Sequence, residues 1–364
     1  MQASNDIINK RIQQIISIHF DERNGAAYWL EKQRRLGINA IRQIHALDDL
    51  AMLGPMDQHT LSERPIEDFI PRCYSERRSE FLPVETGGTL GQPKFAVHRR
   101  DEFQEAFIEP FIRAAKVSGF PEKLNWLFIG PTGPHIIGHA ARQCARALDS
   151  SAPFCIDFDP RWAKKLPEAS FAARRYLNHI VEQALRILKT QRIGVIFGTP
   201  AVLGSLGEEL SLDIRKKIMG IHLGGMSVSH PFRTKLQELF PSAQLLSGYG
   251  NTLFGMAPEL AYNKETGIDY YPYGSRVVLQ CIELSKNDQK DEERLHKQVE
   301  YGQRGQILAH RLDETQFIAN MIERDTAIRI PARAEAVKSG FILDGIRDPQ
   351  PLQTPTLKPA VGLY

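Results

Sequence analysis

Cysteine is scarce in this chain of 364 residues: Cys73, Cys144, Cys155 and Cys281 stand far apart and none forms a CxxC pair. That spacing excludes the usual zinc-ribbon arrangements and argues against a disulfide framework, so buried free thiols are expected. Long apolar runs are also missing. No stretch approaches the roughly 18 residues of a membrane-spanning helix, and the opening MQASNDIINKRIQQI lacks the apolar centre of a signal peptide. A soluble, cytoplasmic protein without a membrane partner is expected. Nor is there an excess of one charge, since 46 Lys and Arg face 43 Asp and Glu for a formal net charge of +3. Such a balance gives no broad cationic field and makes nucleic acid an unexpected partner. Internal repeats and low-complexity tracts are absent too.

What is present is a large apolar fraction, 42% of residues, enough for a big core and more than one layered subdomain. The first sixty or so positions read as helical, with Ile8, Ile12, Ile15 and Ile16 at steps of three and four. Residues 26–44 continue in that style with Gly37 as a breaker, and a polar, proline-containing loop over 54–83 follows. Beyond Pro83 the pattern changes to short apolar runs ending in glycine. Trp126–Ile129 runs into Gly130-Pro131, Ile193–Phe197 into Gly198-Thr199-Pro200, Ile218–Leu223 into Gly224-Gly225, and Ala243–Leu246 into Ser247-Gly248-Tyr249-Gly250. Phe154–Ile156 is a further run, and helical stretches such as Phe171–Leu188 and Phe232–Leu239 lie between. Strands that end in glycine and feed helices predict an α/β sheet with ligands at the strand carboxyl ends. After Tyr270 the segments shorten and alternate, as in an antiparallel or barrel-like unit. The expected divisions are a helical segment over 1–82, an α/β core over 83–270, a β-rich subdomain over 271–344 and a hinge-like remnant and tail over 345–364.

The sharpest local signal is Glu85-Thr86-Gly87-Gly88-Thr89-Leu90-Gly91-Gln92-Pro93-Lys94. Glycines let backbone N–H groups approach a phosphate, threonine hydroxyls add donors, and a terminal lysine adds a cation. The GxxxxGK[ST] spacing of a P-loop is not there. Taken alone, the segment fits a phosphate cradle and a hairpin turn equally well.

This segment resembles the phosphate-binding loop of the adenylate-forming superfamily, with Thr86, Gly88, Thr89, Gly91, Pro93 and Lys94 on its pattern. Other landmarks follow in order from about Gly37 to Asp348. Gly37-Ile38, Leu47–Leu50 and Gly54–Met56 are similar to the lead-in of phenylacetate–CoA ligases. Gly130–Gly138 is similar to a glycine-rich turn bordering the acyl pocket, and Phe197–Pro200 to a strand end nearby. Gly224-Gly225-Met226 resembles the turn that shapes the pocket floor, and Gly248–Thr252 the Y-G-x-T segment. Gly302–Ala309 is similar to a further strand, with Gln306 where Glu is usual; Ile322–Asp325 is similar to the ribose-binding segment, and Gly345–Asp348 to the hinge.

The resemblance implies an α/β fold with stacked mixed β-sheets flanked by helices and a small distorted β-barrel subdomain. It implies ATP-dependent activation of a carboxylic acid, aryl or similar, to an acyl-adenylate, with transfer to CoA, a carrier protein or an amine. By the same resemblance Thr89, Lys94 and Thr252 serve catalysis at the phosphates. Thr86, Gly87, Gly88, Gly91, Gly225, Met226, Tyr249, Gly250, Asn251, Asp325 and Arg347 hold ATP or AMP, while His135, Gly138 and Gly224 line the acyl site. From the residues alone, His135 and Tyr249 also fit core packing, Asp325 a cap or surface pair, and Arg347 a surface charge. Other functions stay open: a non-catalytic nucleotide or acyl binder, and an ATP-independent acyltransferase.

Two departures matter. Leu253 stands where the family places a Glu for Mg²⁺, and leucine has no oxygen for a hard cation. Either Mg²⁺ then arrives mainly on the nucleotide with water filling the gap, or ATP turnover is impaired; Glu259 is a candidate substitute that nothing in the sequence places. Only Pro349–Tyr364 follows the hinge-like segment, so the family's C-terminal domain and its lysine are expected from a partner protein. A homodimer is the base-rate expectation for oligomeric state.

Overall fold

The computed structural model describes residues 2–88, 92–167, 170–225, 228–285 and 289–352. Thirteen strands occur among them: β1 Phe81–Glu85, β2 Phe95–Arg99, β3 Asn125–Ile129, β4 Phe154–Ile156, β5 Ile193–Gly198, β6 Gly220–Leu223, β7 Gln244–Asn251, β8 Gly255–Asn263, β9 Gly267–Tyr270, β10 Val277–Ile282, β11 Arg304–Leu312, β12 Phe317–Ile330 and β13 Gly345–Pro351. The first two form an antiparallel hairpin, and the other eleven one mixed sheet in the order β10-β11-β12-β13-β9-β8-β7-β6-β5-β3-β4. From β4 to β7 the ladders are parallel; from β7 onward they are antiparallel. The predicted α/β fold is therefore observed, its mixed sheet large and flanked by helices. The strands after Tyr270 continue that sheet, since β13 pairs with both β12 and β9.

Parallel strands are covered on both faces, which is why they read as unbroken apolar runs. Alternation along β3 sends Trp126 and Phe128 to one face, with Phe111 and Ala141, and Leu127 and Ile129 to the other, with Ile180 and Leu203. The helix Phe171–Thr190 starts on Ser170, whose side chain accepts from the Ala173 N–H, and buries Ile180, Val181, Ala184 and Leu188. Each large apolar side chain so buried contributes about 1.5–3 kcal/mol. The helix Gln2–His19 buries Ile8, Ile12, Ile15 and Ile16 as its period requires.

Three expectations change. The loop over 54–83 carries short helices at Thr60–Glu63, Ile66–Phe69 and Arg72–Glu80 before β1 begins; their turns are too brief to show an apolar period. Cys144 and Cys281 are buried, but Cys73 and Cys155 are exposed, and all four are free. The hinge-like segment is strand β13, bonded on both sides, and the tail over 353–364 lies outside the described residues. No helix among the described residues is long and apolar enough to cross a membrane.

The interior is rich in neutral histidine. Burial lowers His19 and His222 to about 4 and His310 to about 3. His310 is held as one tautomer: its Nδ1 accepts from the Asn320 N–H at 3.2 Å, and Nε2 donates to Gln280 Oε1 at 3.0 Å. Because these folded values lie below the unfolded value of 6.5, the stabilisation is complete above about pH 6.5. It is lost as the pH falls toward 4, where only the unfolded chain takes up protons readily. At pH 5 the loss is about 2 kcal/mol per imidazole, so the thermal midpoint is expected to drop steeply between pH 6.5 and pH 5. A flat midpoint over that interval would contradict this.

Candidate functional site

The parallel-to-antiparallel change falls on β7, so its carboxyl end, Gly248–Asn251, opens where two kinds of pairing meet. Gly250 lies so close to β8 that a Cβ there would come within 1.9 Å of the Gly255 carbonyl oxygen, which restricts the position to glycine. Next to it, Asn251 accepts the Leu253 N–H at 2.8 Å and the Phe254 N–H at 3.3 Å on Oδ1, closing a tight turn.

The next three carbonyls of that turn are each held by a buried polar side chain. His98 Nε2 meets the Thr252 oxygen at 2.9 Å, Arg311 donates to that of Leu253 at 3.0 Å, and Arg276 to that of Phe254 at 2.6 Å. Arg311 also donates to the Val97 carbonyl at 2.6 Å, so the turn is tied to strand β2. Asp313 is the counter-charge, accepting from Arg276 Nε at 3.0 Å and Arg311 Nε at 2.6 Å. Burial alone would raise its carboxyl, but the two guanidinium charges outweigh that and hold it below the usual carboxylate range. Leu253 itself is 1% exposed and packs in the core.

Strand β12 supplies the other wall. Its register against β11 jumps between Leu308↔Ile322 and Gln306↔Thr326, which leaves Glu323, Arg324 and Asp325 in a bulge. Bulges re-aim side chains next to functional sites. The Tyr249 hydroxyl donates to Asp325 Oδ2 at 3.1 Å, and Gln306 donates to the Glu323 carbonyl at 2.7 Å. Burial raises the Asp325 carboxyl and, more strongly, the Tyr249 phenol, which also faces Asp325 and Glu323. Glu323 is pushed up to about 7, first by burial and then by Asp325, with Lys94 and Asn251 opposing.

The hairpin β1–β2 carries the glycine-rich segment. Thr86 N–H donates to the Lys94 carbonyl at 2.9 Å, and Lys94 N–H to Thr86 Oγ1 at 2.9 Å, so the loop is closed at its neck. Burial lowers the Lys94 ammonium while Glu323 pulls it up. Gly88 has a left-handed φ of 57°. Thr89, Leu90 and Gly91 lie outside the described residues, as does Met226. Glu85 N–H donates to the Pro134 carbonyl at 3.1 Å, joining the hairpin to the turn before helix Ile136–Ala147. His135, the residue preceding that helix, is buried. Gly138 packs against the turn so closely that a Cβ would lie 2.8 Å from the Thr132 Cα. Gly224 faces Phe197 and Ile137, and Gly225 follows with φ 82°.

The structure thus brings Thr86, Lys94, Tyr249, Asn251 and Asp325 to one place, with Gly87, Gly88, Gly250 and Thr252 in the adjoining backbone. It does not bring Arg347 there. That guanidinium pairs with Asp269 at 2.5 and 3.0 Å and lines a cavity of about 610 Å³ with Tyr271, Arg329 and Arg333. Glu259 is no stand-in for the missing Glu, because it is buried against Arg233 at 2.5 Å and accepts from Ser247 Oγ at 2.7 Å. Sequence reasoning passed over His98, Arg276, Arg311 and Asp313, and named Glu323 only as a neighbour of Asp325. The network is assembled across separations of up to 214 residues, where no local spacing signals it.

The fold is one that solved structures already show. Solved structures of a 2-hydroxyisobutyryl-CoA ligase share it. An open conformation in complex with 2-HIB-AMP and CoA superposes with a TM-score of 0.67 at 14% identity, covering 94% of this chain and 73% of that one. The postadenylation state in complex with R3-HIB-AMP gives 0.68 at 14%, covering 95% and 67%. No family model and no curated protein matches the chain. At such identity the likeness establishes the fold, and the chemistry has to come from the site.

Proposed function

We propose that the protein activates a carboxylic acid with ATP, forming an acyl-adenylate and releasing pyrophosphate. The observation that carries this is the convergence of the phosphate-type loop neck, Thr86 and Lys94, with the facing pair Tyr249 and Asp325 at the carboxyl end of β7. Tyr249 offers an aromatic face for adenine and Asp325 two oxygens for the ribose hydroxyls. The loop amides, Lys94 and Thr252 stabilise charge on the phosphates during in-line displacement. The acid needs no general base, being ionised at neutral pH. His135, Gly138 and Gly224, around the start of helix Ile136–Ala147, border the acyl group, which is aryl or similar in size. Thr89, Gly91 and Met226 join by resemblance alone.

The fold is shared with a ligase solved with an acyl-AMP and CoA, which favours a thiol acceptor, CoA or a carrier protein, over an amine. Mg²⁺ travels with ATP and supplies charge neutralisation at the phosphates. Pyrophosphate release from ATP that requires both an added acid and Asp325 is the expected result. Release that is independent of the acid would contradict the proposal.

A further inference from the structure

Glu323 is the one carboxylate of the β12 bulge whose oxygen is sealed without a partner. Its Oε1 is buried and has no hydrogen bond among the described residues, although the residue as a whole is partly exposed. Burying a carboxylate oxygen unpaired is costly unless something completes it. Its surroundings narrow what that is. Asn251 and Lys94 act on the carboxyl from the turn and from the loop neck, and Asp325 stands two residues along. The turn's own residue at the expected cation position is Leu253, buried and without an oxygen to offer. Glu259 is consumed by Arg233 and Ser247. A hard divalent cation needs oxygen ligands, and Mg²⁺ in particular is held by one or two carboxylates together with phosphate oxygens and water. The donor set fits that pattern, with one orphaned carboxylate oxygen beside the phosphate loop.

We propose that Glu323 is this protein's carboxylate ligand for the divalent cation that accompanies ATP, taking from strand β12 the part that the β7 turn has lost at Leu253. The inference rests on the nucleotide reading of the site. It assigns Asp325 to the ribose and leaves Glu323 to the metal, so the two acids of the bulge divide the nucleotide between them. Lys94 then meets phosphate oxygens from the other side of the same charge.

The test is calorimetric titration of the full chain with ATP and with AMP, each with and without Mg²⁺, for wild type and Glu323→Gln. Electron paramagnetic resonance of Mn²⁺ added with ATP reports the cation directly. Glutamine keeps the side-chain shape and an oxygen, and a melting curve confirms folding. In wild type, Mg²⁺ is expected to tighten ATP about tenfold or more and leave AMP unchanged. In Glu323→Gln that increment should vanish, the protein-bound Mn²⁺ signal with ATP should fall, and AMP affinity should hold within about twofold. A Mg²⁺ increment retained in the variant overturns the proposal, as does tighter ATP binding by the variant without metal, which would make Glu323 a mere repellent of phosphate. If wild type binds neither AMP nor ATP, the nucleotide reading itself falls, and this assignment with it; AMP binding without any metal effect defeats only the assignment.

Discussion

Asp313→Ala is expected to lower the thermal midpoint by about 5 °C and to weaken nucleotide binding together with it. Asp313 is fully buried and is the shared acceptor of Arg276 and Arg311, themselves 4% and 0% exposed. Removing one member of a buried ion network leaves charge uncompensated, at about 3–5 kcal/mol. For a chain of this length, with about 2.1 cal/mol/K of unfolding entropy per residue, 4 kcal/mol corresponds to about 5 °C. The second effect follows from what the two arginines do with their remaining donors. They grip the Leu253 and Phe254 carbonyls, and Arg311 also grips Val97 on the hairpin. Loss of Asp313 therefore loosens the turn carrying Thr252 and the strand leaving the glycine-rich loop at once. Differential scanning calorimetry and AMP titration on the same sample check both. A midpoint within about one degree of wild type would contradict the first effect, and unchanged AMP affinity in a destabilised protein the second.

Asp325→Ala is expected to weaken AMP by about 10²-fold with little change in stability. A carboxylate accepting two hydroxyls makes charge-assisted bonds of about 1.5–3 kcal/mol each, and part of that is offset by the Tyr249 bond it exchanges. Among the described residues the Asp325 carboxylate accepts from the Tyr249 hydroxyl, and its burial already disfavours the charged form. Alanine removes that unfavourable burial along with the contact, so the fold gains and loses comparable amounts. Isothermal titration with AMP reads the affinity, and a change under threefold would remove Asp325 from the nucleotide site.

Much of the fold was legible because its parallel strands are buried on both faces. Trp126–Ile129, Ile193–Phe197 and Ala243–Leu246 announce themselves as apolar runs ending in glycine, and each is a strand where it was expected. Tyr249 and Asp325 were legible as candidates through the order of motifs, and their direct contact shows how far a strand pairing carries residues 76 positions apart. What escaped was what tertiary packing alone creates. Glu323 and Asp325 share a bulge, and a bulge leaves no trace in hydrophobic alternation. The Asp313 network looks in sequence like unrelated polar residues, His98, Arg276 and Arg311, scattered along the chain. Arg347 misled for the converse reason: a Gly-x-Arg-Asp pattern at a strand start looks like a hinge until the strand is seen paired to Asp269 on β9.

The most direct measurement is pyrophosphate release from ATP and Mg²⁺ across a panel of aryl and alkyl carboxylic acids, with hydroxylamine present to trap the acyl group. Release that requires one class of acid, yields the matching hydroxamate and is lost in Asp325→Ala is the predicted result. Silence across the panel, from protein that melts normally and gains no stability from ATP or AMP, would contradict acid activation at this site.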